Sequence, residues 1–170
     1  RDAGIKDSIH ELLNKRDGLM LGICNGFQAL VKLGLVPYGD IVPMTAECPT
    51  LTFNTIGRHQ SRLVRTRVAS NLSPWLAKTE VGDMHTIAIS HGEGRFVASD
   101  DMLAQLKANG QIATQYVDEA GVPGMDLDVN PNGSLLAIEG ITSPDGRVFG
   151  KMGHSERYSN GTFVNVPGEK

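Results

Sequence analysis

The run Leu19–Ala29, Leu-Met-Leu-Gly-Ile-Cys-Asn-Gly-Phe-Gln-Ala, places the tightest limit on how this chain folds. Its continuous apolar stretch up to Cys24 predicts a strand buried on both faces, as in a parallel sheet. Phe27, Leu30 and Val31 then fall at core spacing on a helix over about 26–33, which Gly34 ends. A strand that turns straight into a helix at the centre of Gly-x-Cys-x-Gly has the form of a nucleophile elbow. Gly22 and Gly26 are expected where a Cβ would crowd the turn. The elbow lifts the Cys24 sulfur out of the backbone, where the positive end of the helix and a nearby base both favour thiolate. The free backbone N–H of Asn25 points the same way and suits the oxyanion formed when sulfur attacks a carbonyl. Taken alone, the motif also fits a buried structural cysteine whose glycines merely end a strand.

The other end of the chain shifts that balance. After a strand-like Arg147–Met152 comes Gly-His-Ser-Glu-Arg (153–157), with His154 and Glu156 two apart. In extended chain such residues share a side, and a carboxylate beside an imidazole fixes its tautomer and stabilises its protonated form. With Cys24 they make a Cys-His-Glu triad.

Four segments, Gly-Ile-Cys-Asn-Gly-Phe-Gln (22–28), Ser-His-Gly-Glu-Gly-Arg (90–95), Asn-Pro-Asn-Gly-Ser (130–134) and Gly-His-Ser-Glu-Arg (153–157), carry a family resemblance. In order and spacing they resemble the glutaminase domain of phosphoribosylformylglycinamidine synthase, a class I, triad glutamine amidotransferase of purine biosynthesis. The resemblance implies an α/β fold of flavodoxin-like, doubly wound type, a mostly parallel sheet with an antiparallel edge. It implies that Cys24, His154 and Glu156 are catalytic, that Asn25 serves the oxyanion, and that Gln28, His91, Gly92 and Glu93 bind L-glutamine. Without it, Gln28 is a surface helix residue, His91 a turn residue and Glu93 a solvated charge. Glutamine would lose its side-chain amide through a thioester, and the ammonia would pass to a synthetase domain, in cis or as a separate subunit. There, ATP-dependent chemistry makes formylglycinamidine ribonucleotide. The ATP and magnesium sites belong to that synthetase part, since no G-x-x-x-x-G-K-[ST] loop occurs in this chain, and the domain is expected to need no cofactor of its own.

At 170 residues the chain reads as one domain, 1–170, large enough for a real core. It opens on Arg1-Asp2-Ala3 and an amphipathic pattern (Ile5, Ile9, Leu12, Leu13) rather than on a central strand, so it reads as an N-terminally truncated fragment of a longer chain. Family domains carry further N-terminal strands and a glycine-rich turn that gives a second oxyanion donor. A net charge of −3 argues against a general nucleic-acid binder. No run approaches the ~18 apolar residues of a membrane span, and no signal peptide is evident; a cytoplasmic protein is expected. Cys48 reads as a thiol without a role. Zinc is disfavoured because neither cysteine has a partner at C-x-x-C spacing and no P-C-x-x-C accompanies the H-x-E. A different cysteine hydrolase, a glutaminase of another pathway and a non-catalytic docking module stand as alternatives.

Between the motifs, 37–49 reads as loop, 51–68 as two strands, and Ser73-Pro74 as the cap of a short turn. Residues 84–90 form a strand with Ser-His-Gly-Glu-Gly-Arg as the loop at its end. Ser99-Asp100 opens a helix to Ala108, 111–117 is a strand, and 135–152 is a hairpin around Ser-Pro-Asp-Gly. Arg58, His59, Arg62, Arg65 and Arg67 concentrate positive charge, expected to be a solvated face or a dock for the synthetase part.

Overall fold

The computed structural model describes residues 3–159 together with 163 and 166. The opening pattern forms α1 (Ala3–His10), which runs into a π-helical turn at Glu11–Lys15. Of its apolar positions Leu13 is buried, whereas Ile5 is exposed. Then follow β1 (Met20–Ile23), α2 (Asn25–Leu33), the short α3 (Leu35–Tyr38), β2 (Thr50–Phe53), β3 (Gln60–Val68), β4 (Met84–His91) and β5 (Glu93–Val97). The chain continues with α4 (Asp100–Ala108), β6 (Ile112–Tyr116), β7 (Ile138–Thr142) and β8 (Val148–Lys151).

Local chemistry sets these bounds. Ser99 Oγ accepts the Met102 N–H at the start of α4, and Ser73 Oγ accepts the Trp75 N–H, as their N-cap positions predict. Gly34, at φ 87°, closes α2 in the left-handed conformation that glycine adopts without strain. Along β3, Val64, Thr66 and Val68 are buried and alternate with Arg65 and Arg67, a strand with one face on the core.

Six strands form one sheet in the order β1-β8-β7-β6-β3-β4, and β2 pairs with β5 in a second, two-stranded sheet. The expected mostly parallel sheet is not what forms: β1–β8 is parallel, and β8–β7, β7–β6, β6–β3 and β3–β4 are all antiparallel. Connection length explains one of these pairs. β7 and β8 are joined by residues 143–147 alone, whereas a parallel pair needs a crossover of roughly a dozen residues or more. β1 is also not doubly buried. It lies at the sheet edge, with Leu19 and Leu21 about 40% exposed. Nor is Ser90–Arg95 a loop: β4 extends to His91 and β5 begins at Glu93, in antiparallel register with β2.

The core lies where α2 packs on β1 and β8. Phe27, Leu30 and Val31 are buried there, each contributing roughly 1.5–3 kcal/mol. Two glycines in the strands make room. A Cβ on Gly150 would sit 2.2 Å from Phe27 Cδ2, and one on Gly22 2.6 Å from Leu30 Cδ1.

Candidate active site

Cys24 stands between β1 and α2 at φ 53°, ψ −107°, a strained conformation for an L-residue. Its N–H donates to the Lys151 carbonyl at 2.9 Å, which continues the β1–β8 register by one residue and seats the elbow on the end of β8. Gly22 is crowded as expected: its Cβ would also meet the Gly26 backbone at 2.7 Å. Gly26 corrects the sequence reading, since a Cβ there meets nothing within 4 Å.

The expected thiolate bias is corrected as well. Burial pushes the Cys24 thiol above its ordinary pKa, and Glu156 adds to the rise. The Asn25 backbone N–H and the Arg157 charge pull the other way without overcoming burial.

Beyond β8 the chain passes through Gly153, and the His154 N–H donates to Ala88 of β4 at 2.8 Å. The sheet curls so far that its last strand meets the extension of its second. His154 Nδ1 donates to Glu156 Oε1 at 2.5 Å. Their closeness comes from a one-turn 3-10 helix at Ser155–Arg157 rather than from extended chain. Burial favours the neutral Glu156 carboxyl, but the His154 hydrogen bond, its own backbone N–H and the His154 and Arg157 charges outweigh that and hold it below the usual range.

A cleft of about 620 Å³ opens beside the elbow, walled by Cys24, Asn25, Gln28, Phe53, Gly57, Arg58, His59, Ser90, His91, Gly92 and Glu93. Six of the eight site residues expected from sequence line it; His154 and Glu156 do not. Gln28 Nε2 donates to Glu93 Oε2 at 2.9 Å, so two residues expected to meet a ligand meet each other. His91 is 5% exposed with neither ring nitrogen hydrogen-bonded, and burial first, then His59, pushes its pKa down to about 4. It is a neutral imidazole with unused polar atoms in the cleft wall.

Sequence reasoning assigned no role to the supports of this wall. Asn54, 3% exposed, donates from Nδ2 to the His91 and Arg58 carbonyls, and its N–H donates to the Gly92 carbonyl. Asn132 Nδ2 donates to the Gly94 carbonyl at 2.7 Å, and Ser134 Oγ accepts the Phe96 N–H at 3.0 Å, so Asn-Pro-Asn-Gly-Ser braces β5 from behind. The basic cluster is divided. Arg58 and His59 line the cleft, while Arg62, Arg65 and Arg67 donate to carbonyls between Glu119 and Asp128 and tie that loop to β3. Cys48 lies apart, its sulfur against Thr45. Among the described residues no three His, Cys, Asp or Glu side chains are grouped to hold a metal, and no helix is long and apolar enough to cross a membrane.

A model of the CobB/CobQ-like glutamine amidotransferase domain matches residues 1–170. The chain belongs to this amidotransferase family. The phosphoribosylformylglycinamidine synthase subunit PurQ of Aquifex aeolicus (strain VF5) is 39% identical over 140 residues, covering 82% of this chain and 56% of that protein. PurQ of Synechococcus elongatus is 37% identical over 154 residues, covering 89% of this chain and 58% of that protein. A chain from the structure of PurLQS of Thermotoga maritima matches with TM-score 0.66 at 31% identity, over 90% of this chain and 57% of that one. The amidotransferase chain thus spans little more than half the length of the relatives it matches.

Proposed function

We propose that this chain is glutaminase machinery of a phosphoribosylformylglycinamidine synthase, and that it releases ammonia from the side chain of L-glutamine. The observation that carries the reading is the elbow: Cys24 at positive φ between β1 and α2, in the wall of a cleft lined with charged and polar side chains. The cleft suits a free amino acid. Glu93 offers an anion to the α-ammonium, Arg58 a cation to the α-carboxylate, and His91 a neutral hydrogen-bonding partner. Entry of the ammonium would draw Glu93 away from Gln28 and free that amide for substrate.

In this reading His154 takes the Cys24 proton, and the sulfur attacks the carboxamide carbon while the oxyanion rests on the Asn25 N–H. The imidazolium, oriented by Glu156, gives its proton to the leaving nitrogen, and ammonia departs to leave a glutamyl thioester. Water activated by the same imidazole then releases glutamate. The ammonia is consumed in a synthetase part that holds ATP and magnesium. That the solved relative is one chain of PurLQS supports such a partner.

The test is to treat the full-length protein with a glutamine-like diazo-ketone. Cys24 is the expected site of modification, glutamine protects it, and Cys24→Ser lowers glutamine hydrolysis by about a thousandfold or more. Labelling elsewhere, or hydrolysis that survives the substitution, defeats the reading.

A further inference from the structure

Two buried charges beside the triad have no part in that chemistry. Glu139 of β7 is fully buried and Lys151, the last residue of β8, is 7% exposed. Charges leave water at low cost only when they are paired and hydrogen-bonded, so their partners show where the pair acts. Lys151 Nζ lies 3.4 Å from Glu139 Oε1, and donates to the Gly153 carbonyl at 3.1 Å and to Ser155 Oγ at 2.6 Å. Glu139 accepts the Gly153 N–H at 2.7 Å on Oε1 and the Thr114 hydroxyl on Oε2.

Apart from Thr114, every group the pair holds flanks His154. Gly153 is gripped at both its N–H and its carbonyl, and Ser155 through its hydroxyl. A Cβ at 153 would lie 1.8 Å from Ile87 Cδ1 and 2.9 Å from Glu139 Oε1, so both side chains would have to shift to admit one. Lys151 also reaches the other half of the site, because its carbonyl accepts the Cys24 N–H. One residue thus holds the nucleophile's backbone with its carbonyl and the imidazole's loop with its ammonium. Neither Lys151 nor Glu139 lines the cleft, and both are buried.

We propose that Glu139, Lys151 and Ser155 are positioning residues that set the backbone on either side of His154, and so hold its imidazole in register with Cys24. The proposal rests on the glutaminase reading and adds to it where the precision of the triad comes from. A pair of apolar residues of similar volume would serve folding as well or better, but would leave residues 153–155 without these three anchors.

The experiment uses the full-length protein with its synthetase part present and follows glutamine hydrolysis. Ser155 is exposed, so Ser155→Ala leaves the core intact. It is expected to lower kcat roughly ten- to a hundredfold with KM unchanged, because small misplacements of a catalytic group carry costs of that order, and to lower the melting temperature only slightly, since Lys151 keeps the Gly153 carbonyl and Glu139. Ser155→Thr, which keeps the hydroxyl, recovers most of the loss. The double variant Glu139→Leu/Lys151→Met loses kcat in the same way; if it fails to fold, the Ser155 pair decides. The proposal is overturned if Ser155→Ala keeps kcat within about twofold of the parent, if Ser155→Thr is no better than Ser155→Ala, or if the loss lies in KM. Cys24→Ser separates the two levels. Hydrolysis abolished by Cys24→Ser but untouched by Ser155→Ala sinks the positioning role alone, whereas hydrolysis that survives Cys24→Ser sinks the glutaminase reading and this proposal with it.

Discussion

The strain at Cys24 falls unequally on its two glycine neighbours. Gly22 faces backbone: a methyl group there would lie 2.7 Å from the Gly26 carbonyl, with Leu30 closer still. Gly26 faces open space within the first turn of α2. Gly22→Ala is therefore expected to destabilise the protein by about 1–3 kcal/mol or more, and Gly26→Ala to be neutral or to stabilise it by ~0.5–1 kcal/mol through helix entropy. Denaturant titration of both variants checks the pair; a more damaging Gly26→Ala would show the crowding to lie on the other side of the elbow. This asymmetry was not legible in Gly-x-Cys-x-Gly, because a motif records spacing and not which neighbour each position faces. The turn at Cys24 and the nearness of His154 to Glu156 were legible because short local motifs carry them. Asn54, Lys151 and Glu139 were not, since an isolated asparagine or ion in a sequence gives no sign of which distant backbone it will hold.

Among the elements, the β7–β8 turn shows how one carboxylate fixes the local path of the chain. Asp145 accepts from the Ser143 hydroxyl at 2.7 Å, from the Arg147 N–H at 3.1 Å and from Arg147 Nε at 2.8 Å. The Arg147 guanidinium also donates to the Leu13 carbonyl and to Asp17, so the turn is tied to the chain leading into β1. Partial burial works to raise the Asp145 pKa, but the bonds from Ser143 and Arg147 outweigh it and leave the carboxyl below its usual range. A depressed folded-state pKa means that the stabilisation is complete above the unfolded-state value and is lost as pH falls through the folded-state value. Asp145→Asn is expected to cost roughly 0.5–1 kcal/mol at neutral pH, the charge part being discounted for solvent screening. The gap between parent and variant should close as melting curves are taken to acid. A gap that persists where Asp145 is protonated would locate the effect outside the carboxylate. Ser-Pro-Asp-Gly made this hairpin legible from sequence. Strand direction elsewhere was not, because alternation marks a buried face and says nothing of the neighbour's polarity. β5 was hidden by its glycine: Gly94, at φ 146°, reads as loop but marks where Met152, Asn132 and His91 crowd the strand.

The whole molecule makes its site by curling a largely antiparallel sheet until β4 meets the extension of β8. That closure brings the cleft wall to the elbow, and only the assembled fold displays it. The same topology leaves β1 on an edge, with β8 as its one partner among the described residues. Leu19, Leu21 and Trp75 are about 40% exposed there, and Trp75 Nε1 covers only the Met20 carbonyl, at 3.2 Å. Folded proteins usually blunt an apolar edge with charge, proline or a covering segment. This one has a tryptophan and two leucines, which favour contact with another chain over contact with water. The 170-residue chain on its own is therefore expected to self-associate through β1 as its concentration rises. Leu21→Lys, which sets a charge on the edge at a position already open to solvent, should weaken that association about tenfold or more, equivalent to ~1.4 kcal/mol. Sedimentation velocity over a concentration series distinguishes the cases. A chain that stays monomeric throughout, or a Leu21→Lys variant that associates as readily as the parent, would mean that β1 is protected in a way its exposed side chains do not reveal.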